Sequence, residues 1–382
     1  MAFNLKSLGN KLKRYRNQFK LTLVEVSEVT GISLDNLTSF ESGTQKPTGD
    51  EILILSDLYK CDYKFFLSNE KISSFEQTEI LFRKHGHAFK RQDRWAIQEC
   101  LYLAECESYL ISKLKKDHHV EKFSFVKKGN YYKGHGKDAA AALRSHLGYS
   151  SKEVSMNIYR DMRRIGIKVF RRKLENSNIS GVYLKHPVAG HCVLINYNED
   201  IYRQRFTAAH ETAHTILDNE EDVLVSYVGD TDLKEVRANS FASAYLIPHE
   251  FLQKIPNSSN WSEAKVIEWA GKFKVSAHAL AISLLENKLI SKSEFSKLSK
   301  VKVPMSQKID PELPVSLPPN SKRRKALLLE QGLSSDYVFL CFEAYREKII
   351  SAPRLSEMLL LESDTQLISL AEIYGMEIQY AS

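Results

Sequence analysis

Apolar positions over the first 68 residues fall at helical spacing and are punctuated at short intervals. Leu8, Leu12, Tyr15 and Phe19 recur three or four apart, which is one face of a helix. Thr22 is placed to cap Leu23–Val29, which Gly31 stops. Ser33 caps Leu34–Ser42, ended by Gly43, and Pro47-Thr48-Gly49 opens a fourth helix over Glu51–Tyr59. Residues 70–118 read as continuous helix, with Trp95, Leu101, Leu103 and Tyr109 available for packing. A basic stretch, Lys127–Lys137, leads into a mixed region. Helices are predicted over 138–146 and 153–165, and short strands over 167–170, 180–184 and 192–196, where Ile167-x-Val169 and Val193-x-Ile195 alternate. Helical spacing returns from Phe206. Val303 to Pro319 holds five of the ten prolines and reads as a linker; 320–382 is helical again.

This pattern predicts a mostly α chain with an α+β centre. The divisions are 1–68, a helical linker region 69–137, an α+β domain 138–300, a Pro-rich linker 301–319 and a helical C-terminal domain 320–382. A regulatory role for the last follows from its position alone. The 382 residues are 43% hydrophobic and 26% charged, which excludes collagen-like, low-complexity and wholly disordered chains. No run of 18 apolar residues exists, so no membrane span is expected, and Met1–Asn10 is too polar for a signal peptide. Five scattered cysteines without CxxC spacing read as reduced thiols of a cytoplasmic protein. The net charge of +7 permits nucleic-acid contact without demanding it. The cluster Arg160, Arg163, Arg164, Arg171, Arg172 and Lys173 reads as a solvated face. Lys322-Arg-Arg-Lys325 reads the same way.

The run from Leu21 to Gly43 has the logic of two short helices crossing at a steep angle, with Gly31 in the tight turn. Val26, Ile32, Leu37 and Phe40 face a small core, while Leu34, Asp35, Asn36, Thr38 and Ser39 point outward. With Gly9, Leu12 and Arg16 ahead and Gly43-x-x-Lys46-Pro47 behind, these residues resemble the XRE (Cro/repressor-type) helix-turn-helix family. The resemblance implies a five-helix domain whose second motif helix enters the major groove of double-stranded DNA. Asn36, Thr38, Ser39 and Lys46 are the expected contacts, and a homodimer is the default state. Leu23 stands where the family often has a phosphate-binding Gln, and the recognition face carries no Arg or Lys. Residues 1–66 hold nine basic against eight acidic side chains. Arg16 and Glu41 read as a structural pair within the domain.

A second motif, His210-Glu211-Thr-Ala-His214, is HExxH. Four residues apart on a helix, both imidazoles share a face and can offer nitrogen to one metal; Glu211 can reach a water on that metal without ligating it. A catalytic zinc needs a third ligand and an open position. Asp218, along an unbroken helix, would lie about 12 Å from His210, so it can ligate only if the helix breaks. Glu235 is better placed: Glu235, Ala238, Asn239, Ala242 and Leu246 share a helical face whose alanines permit close approach. Asn239 is positioned to hydrogen-bond a ligand.

The surrounding residues resemble ImmA/IrrE-type metallopeptidases. They comprise an Ala-rich helix at 139–144, Ile165-Gly-Ile-x-Val-Phe170, Ile179-Ser-Gly181, Ile195-Asn196, Arg203-Gln-Arg-Phe-Thr-x-Ala-His-Glu-x-x-His and Glu235-x-x-Ala-Asn-x-Phe-Ala with a terminal Leu-Ile-Pro248. Ala213 replaces the Gly usual before the second His. The resemblance implies a zincin-like, gluzincin-type α+β domain with a small sheet, binding Zn2+ through His210, His214 and Glu235, with Glu211 as general base. Tyr227, Tyr245, Arg203 and Arg205 stand open as oxyanion donors. The remaining histidines read as surface or packing residues, His191 being the one nearest the active strand. The implied function is a DNA-binding zinc endopeptidase and transcriptional regulator. It would cleave a repressor or antitoxin-like protein, or itself, to relieve repression. The alternative is a non-proteolytic regulator or antitoxin-like module with the zincin domain as sensor.

Overall fold

The computed structural model describes residues 4–61, 63–68, 78, 81–82, 85, 88–116, 120–129, 131–227 and 232–378. His87, His118 and His119 lie outside them. Among the described residues, three hydrophobic cores organise the chain.

The first core is enclosed by α1 (Leu5–Gln18), α2 (Leu23–Thr30), α3 (Leu34–Ser42), α4 (Gly49–Leu58) and α5 (Tyr63–Leu67). Asn4, Thr22, Ser33 and Thr48 cap the first four, and Glu25 and Glu51 complete reciprocal capping boxes with Thr22 and Thr48. Gly31 and Gly43 end α2 and α3 at φ of 72° and 71°, a conformation that disfavours a side chain. A Cβ on Gly9 would stand 2.5 Å from the Phe40 carbonyl oxygen, so only glycine lets α1 lie this close to α3. Arg16 bridges to both oxygens of Glu41, at 2.6 and 2.8 Å, and holds the same two helices together. This is the structural pair the sequence indicates.

The long helix expected over 70–118 is interrupted. Ala88 turns, Lys90 is extended, and its backbone N–H donates to the Asp93 carboxylate to start α6 (Arg91–Lys113) afresh. One side of α6 carries the first domain. Arg94 donates to the Gln18 carbonyl at 2.8 Å, Gln98 donates to the Lys60 carbonyl at 3.2 Å, and Trp95 stacks on Phe19 with centroids 5.1 Å apart. The other side faces a sheet.

That sheet comprises β1 (Lys168–Arg172), β2 (Ile179–His186), β3 (Gly190–Asn196) and β4 (Val223–Tyr227) in the order β1-β3-β2-β4. β1 runs parallel to β3, and both remaining pairings are antiparallel. β4 was not anticipated from the sequence. Both sheet faces are buried, so alternate residues feed different cores. Val169, Tyr183, Val193 and Ile195 face one; Phe170, Val182, Leu184, Leu194, Val223 and Val225 face the other. The first face packs under α7 (Tyr132–His146), α8 (Ile158–Arg164), α9 (Ile201–Leu217) and α10 (Leu233–Leu246). Behind these follow α11 (His249–Gln253), α12 (Glu263–Phe273), α13 (Ala277–Glu286) and α14 (Lys292–Leu298). The second face packs under α6 together with α15 (Pro319–Glu330), α16 (Ser335–Arg346), α17 (Ala352–Met358) and α18 (Asp364–Tyr374).

Two predicted helices shift. The one expected over 138–146 begins at Tyr132, inside the basic stretch. The one expected over 153–165 begins only at Ile158, where the Asn157 side chain caps the Arg160 N–H at 3.2 Å.

The basic cluster is a solvated face only at Arg160 and Lys173, which are exposed. Arg171 is buried and pairs with Asp310 and Glu312, with Tyr159 and Tyr197 rings flanking its guanidinium at 4.8 and 4.9 Å. Arg163 pairs with Glu312 and Asp336, Arg164 with Glu121, and Arg172 with Glu99. The proline-rich segment is therefore pinned to the sheet by buried charge. Lys308 adds a bond to Asp200 at 2.5 Å, and Val303 and Leu313 are buried.

Candidate metal centre and nucleic-acid face

Asp200 caps α9 by accepting from the Tyr202 N–H, and small residues then let the helix lie flat on the sheet. Ala208, Ala209 and Ala213 are buried against it. The resulting helix is buried on nearly all sides, and His210, Glu211 and His214 project from it within one turn. α10 crosses alongside and brings Glu235.

His210 Nε2 lies 3.1 Å from His214 Nε2 and 2.9 Å from Glu235 Oε2; His214 Nε2 lies 3.2 Å from Glu235 Oε1. A tetrahedral zinc with bonds of about 2.0 Å sets its ligand atoms about 3.3 Å apart, close to the spacing of the two nitrogens and of each from its nearer Glu235 oxygen. The opposite ring nitrogens are engaged. His210 Nδ1 meets Asn239 Oδ1 at 3.0 Å and His214 Nδ1 meets Asp218 Oδ2 at 2.9 Å. Those partners are acceptors, so each ring can keep its hydrogen on Nδ1 and leave its Nε2 lone pair for an ion. The helix does end at Asp218, its C-cap, but this carboxylate turns to the far side of His214 rather than to the ligand cluster. Its other oxygen accepts from Arg237, a buried contact between two helices that no spacing in the sequence signals.

Glu211 is fully buried, and neither carboxylate oxygen makes a hydrogen bond; the Ser226 hydroxyl on β4 lies beside it without closing one. Gly181 on β2 makes the room, since a Cβ there would stand 2.4 Å from Glu211 Oε1. Burial raises the Glu211 pKa, only partly offset by the two imidazoles. Burial also opposes charge on His214, yet its bonds to Asp218 and Glu235 prevail and push it up to about 10. Glu235 moves the other way: burial raises it, but the bonds from His210 and His214 hold it well below the ordinary carboxylate range. Such a site concentrates acidic charge in a dry interior and takes a proton where a cation would serve. Two imidazoles and a carboxylate converge, with an unpartnered carboxylate beside them, a donor set that could hold a divalent metal ion.

The four oxyanion candidates are tied elsewhere. Tyr245 donates to Asp161 at 2.8 Å, and Arg205 to the carbonyls of Ser155, Met156 and Lys274. Arg203 bonds Glu199 at 2.8 Å, and the Tyr227 hydroxyl meets His85 at 3.1 Å. His191 is half-buried and bonds the Tyr183 hydroxyl at 2.9 Å, a packing role.

On the first domain, α3 exposes Leu34, Asp35 and Thr38. Thr38 uses its hydroxyl on the Leu34 carbonyl, while Asn36 and Ser39 are half-buried, the Asn36 amide reaching Glu51 at 3.5 Å. Lys46 is exposed in the turn after Gly43.

These features define a two-part molecule: a capped helix-turn-helix domain and an α+β body with an HExxH-plus-glutamate centre. Comparison with known proteins agrees. Residues 12–66 match the helix-turn-helix family model, and residues 162–285 match the IrrE N-terminal-like domain, Peptidase_M78. The chain thus carries a helix-turn-helix domain followed by a domain of the IrrE N-terminal-like peptidase family. Over 84 residues it is 32% identical to the HTH-type transcriptional regulator ImmR of Bacillus subtilis (strain 168). That match covers 22% of this chain and 66% of that protein, slightly under two thirds of its length.

Proposed function

We propose that this protein is a DNA-binding, zinc-dependent endopeptidase of the cytoplasm that acts as a transcriptional regulator. It cleaves a repressor or antitoxin-like protein, or itself, and so relieves repression. The observation that carries the reading is the convergence of His210 Nε2, His214 Nε2 and a Glu235 oxygen within ligand distance of one another, beside a buried carboxylate with no other bond.

His210, His214 and Glu235 hold the ion, with Asn239 orienting the first ring. Bound zinc supplies Lewis acidity, acidifying a water molecule and polarising the scissile carbonyl. Glu211 would accept a proton from the attacking water and hand it to the leaving amine nitrogen. Its raised pKa suits the first duty, because a stronger base accepts the proton more readily than an ordinary carboxylate. Gly181 keeps the carboxylate in place by leaving its path clear. The first domain binds double-stranded DNA through α3, with Asn36, Thr38 and Ser39 at the bases and Lys46 at phosphate, in a homodimer on a two-fold site.

The test pairs metal analysis with Glu211→Gln. The purified chain is expected to hold one zinc, and the variant to keep zinc and DNA binding. Cleavage of a co-encoded repressor is expected to fall by at least 10²–10⁴-fold, the usual share of a general base. A wild-type chain that takes up no divalent metal, or a variant that cleaves as fast as wild type, would refute the peptidase reading.

A further inference from the structure

We propose that Asp218 and Arg237 form a positioning pair that locks the two ligand-bearing helices in register and so sets the geometry of the metal site. The inference rests on the zinc reading above, and neither residue touches the ion or the substrate.

Asp218 ends α9 four residues after His214, and Arg237 sits on α10 two residues after Glu235. One Asp218 oxygen accepts from His214 Nδ1 at 2.9 Å and the other accepts from Arg237 Nη2. The same two helices therefore meet on both sides of the His214 ring: through His210, His214, Glu235 and Asn239 on the metal side, and through Asp218 and Arg237 on the far side. Contacts on the metal side alone leave that ring free to tilt. Two contacts flanking one imidazole remove that freedom and fix the direction of its Nε2 lone pair.

Charge supports the same assignment. Asp218 and Arg237 are almost wholly buried, with side-chain exposures of 4% and 5%, so each needs the other in a dry interior. The Arg237 Nε has no hydrogen-bond partner, and the guanidinium rests over the Tyr132 ring at 5.3 Å. Asp218 is the anion that holds it. Because Arg237 cancels its charge, Asp218 can orient His214 without competing for the cation. Glu235 and Glu211 then provide the two negative charges that a divalent ion balances. α7 is pressed against this point of α10, since a Cβ on Gly136 would stand 2.4 Å from the Arg237 carbonyl oxygen. The backbone that carries Arg237 thus has little room to move.

Zinc affinity, measured by chelator competition, and the visible absorption of the cobalt-substituted protein test the pair. Asp218→Asn is expected to bind zinc 10–100-fold more weakly, the usual cost of removing such a partner, and to alter the cobalt spectrum as His214 tilts. Arg237→Met is expected to do the same. Arg237→Lys, which keeps the charge, is expected to recover part of the affinity. The double variant Asp218→Asn/Arg237→Gln buries no charge, so it carries the test if a single variant folds poorly. It is expected to bind zinc about as weakly as the worse single variant and no more weakly, because the two residues act as a unit. Wild-type affinity and an unchanged cobalt spectrum in Asp218→Asn, or in the double variant, would overturn the inference while leaving the zinc reading intact. A wild-type chain that binds neither metal would remove the reading itself.

Discussion

Glu211 is where burial and chemistry conflict most directly. An isolated carboxylate in a dry interior is costly, and its pKa rises because the charged form is penalised. In metal-free protein the cost therefore grows as pH climbs above the ordinary carboxylate range, where the unfolded chain releases this proton more readily than the folded one. Glu211→Gln removes the charge and keeps the shape. We expect the chelated variant to be more stable than chelated wild type at pH 7.5, by about 1–3 kcal/mol, in urea unfolding. Equal or lower stability would show that the carboxylate is compensated in the metal-free state. The HExxH spacing made this residue legible in the sequence; its lack of a hydrogen-bond partner was not, because that depends on what the sheet places opposite.

α9, α10 and β2 form the frame that turns three side chains into a site. The alanines of α9 are spaced to let it lie on the strands, and Gly181 gives way exactly where Glu211 projects. Gly181→Ala would drive a methyl group to within 2.4 Å of Glu211 Oε1, so the carboxylate has to move. We expect cleavage to fall by about 10²-fold or more with zinc content unchanged, since displacements near 1 Å carry that cost. Zinc analysis beside the peptidase assay separates this from loss of the metal. β4 escaped the sequence reading because Val223–Tyr227 directly follows an acidic run, Glu220–Asp222, with no turn signal of its own. Its alternation becomes visible only once Val223 and Val225 are seen paired to β2. The break before α6 escaped for a related reason: a carboxylate at Asp93 restarts the helix, a local capping bond that apolar spacing does not record.

The chain as a whole is joined by segments far apart in sequence. The region before the sheet and the helices after the proline-rich run share one core across the second sheet face. The first domain is seated on α6 through Trp95, Arg94 and Gln98 rather than carried on a loose tether. Arg171 is the main electrostatic tie of the proline-rich segment. Removing it by Arg171→Met leaves Asp310 and Glu312 near buried surface without their cation. We expect a loss of about 3–5 kcal/mol of stability, read from urea unfolding, with the first domain's own structure retained. A change below about 1 kcal/mol would mean that the segment is held by Val303 and Leu313 alone.

Local patterns were enough for whatever depends on neighbours along the chain. Helix caps, the two stop glycines and the HExxH face follow from spacings of three, four or a few residues, over which backbone geometry is nearly rigid; the Arg16–Glu41 pair and Glu235 were legible only through the wider motifs in which they stand. Long-range packing decided the rest. Whether six cations face water or salt bridges, whether a proline-rich run hangs free or is strapped down, and which way Asp218 turns at the end of its helix each depend on groups more than a dozen residues away. Those partners are assembled by the burial of apolar surface, which has no preferred direction along the sequence.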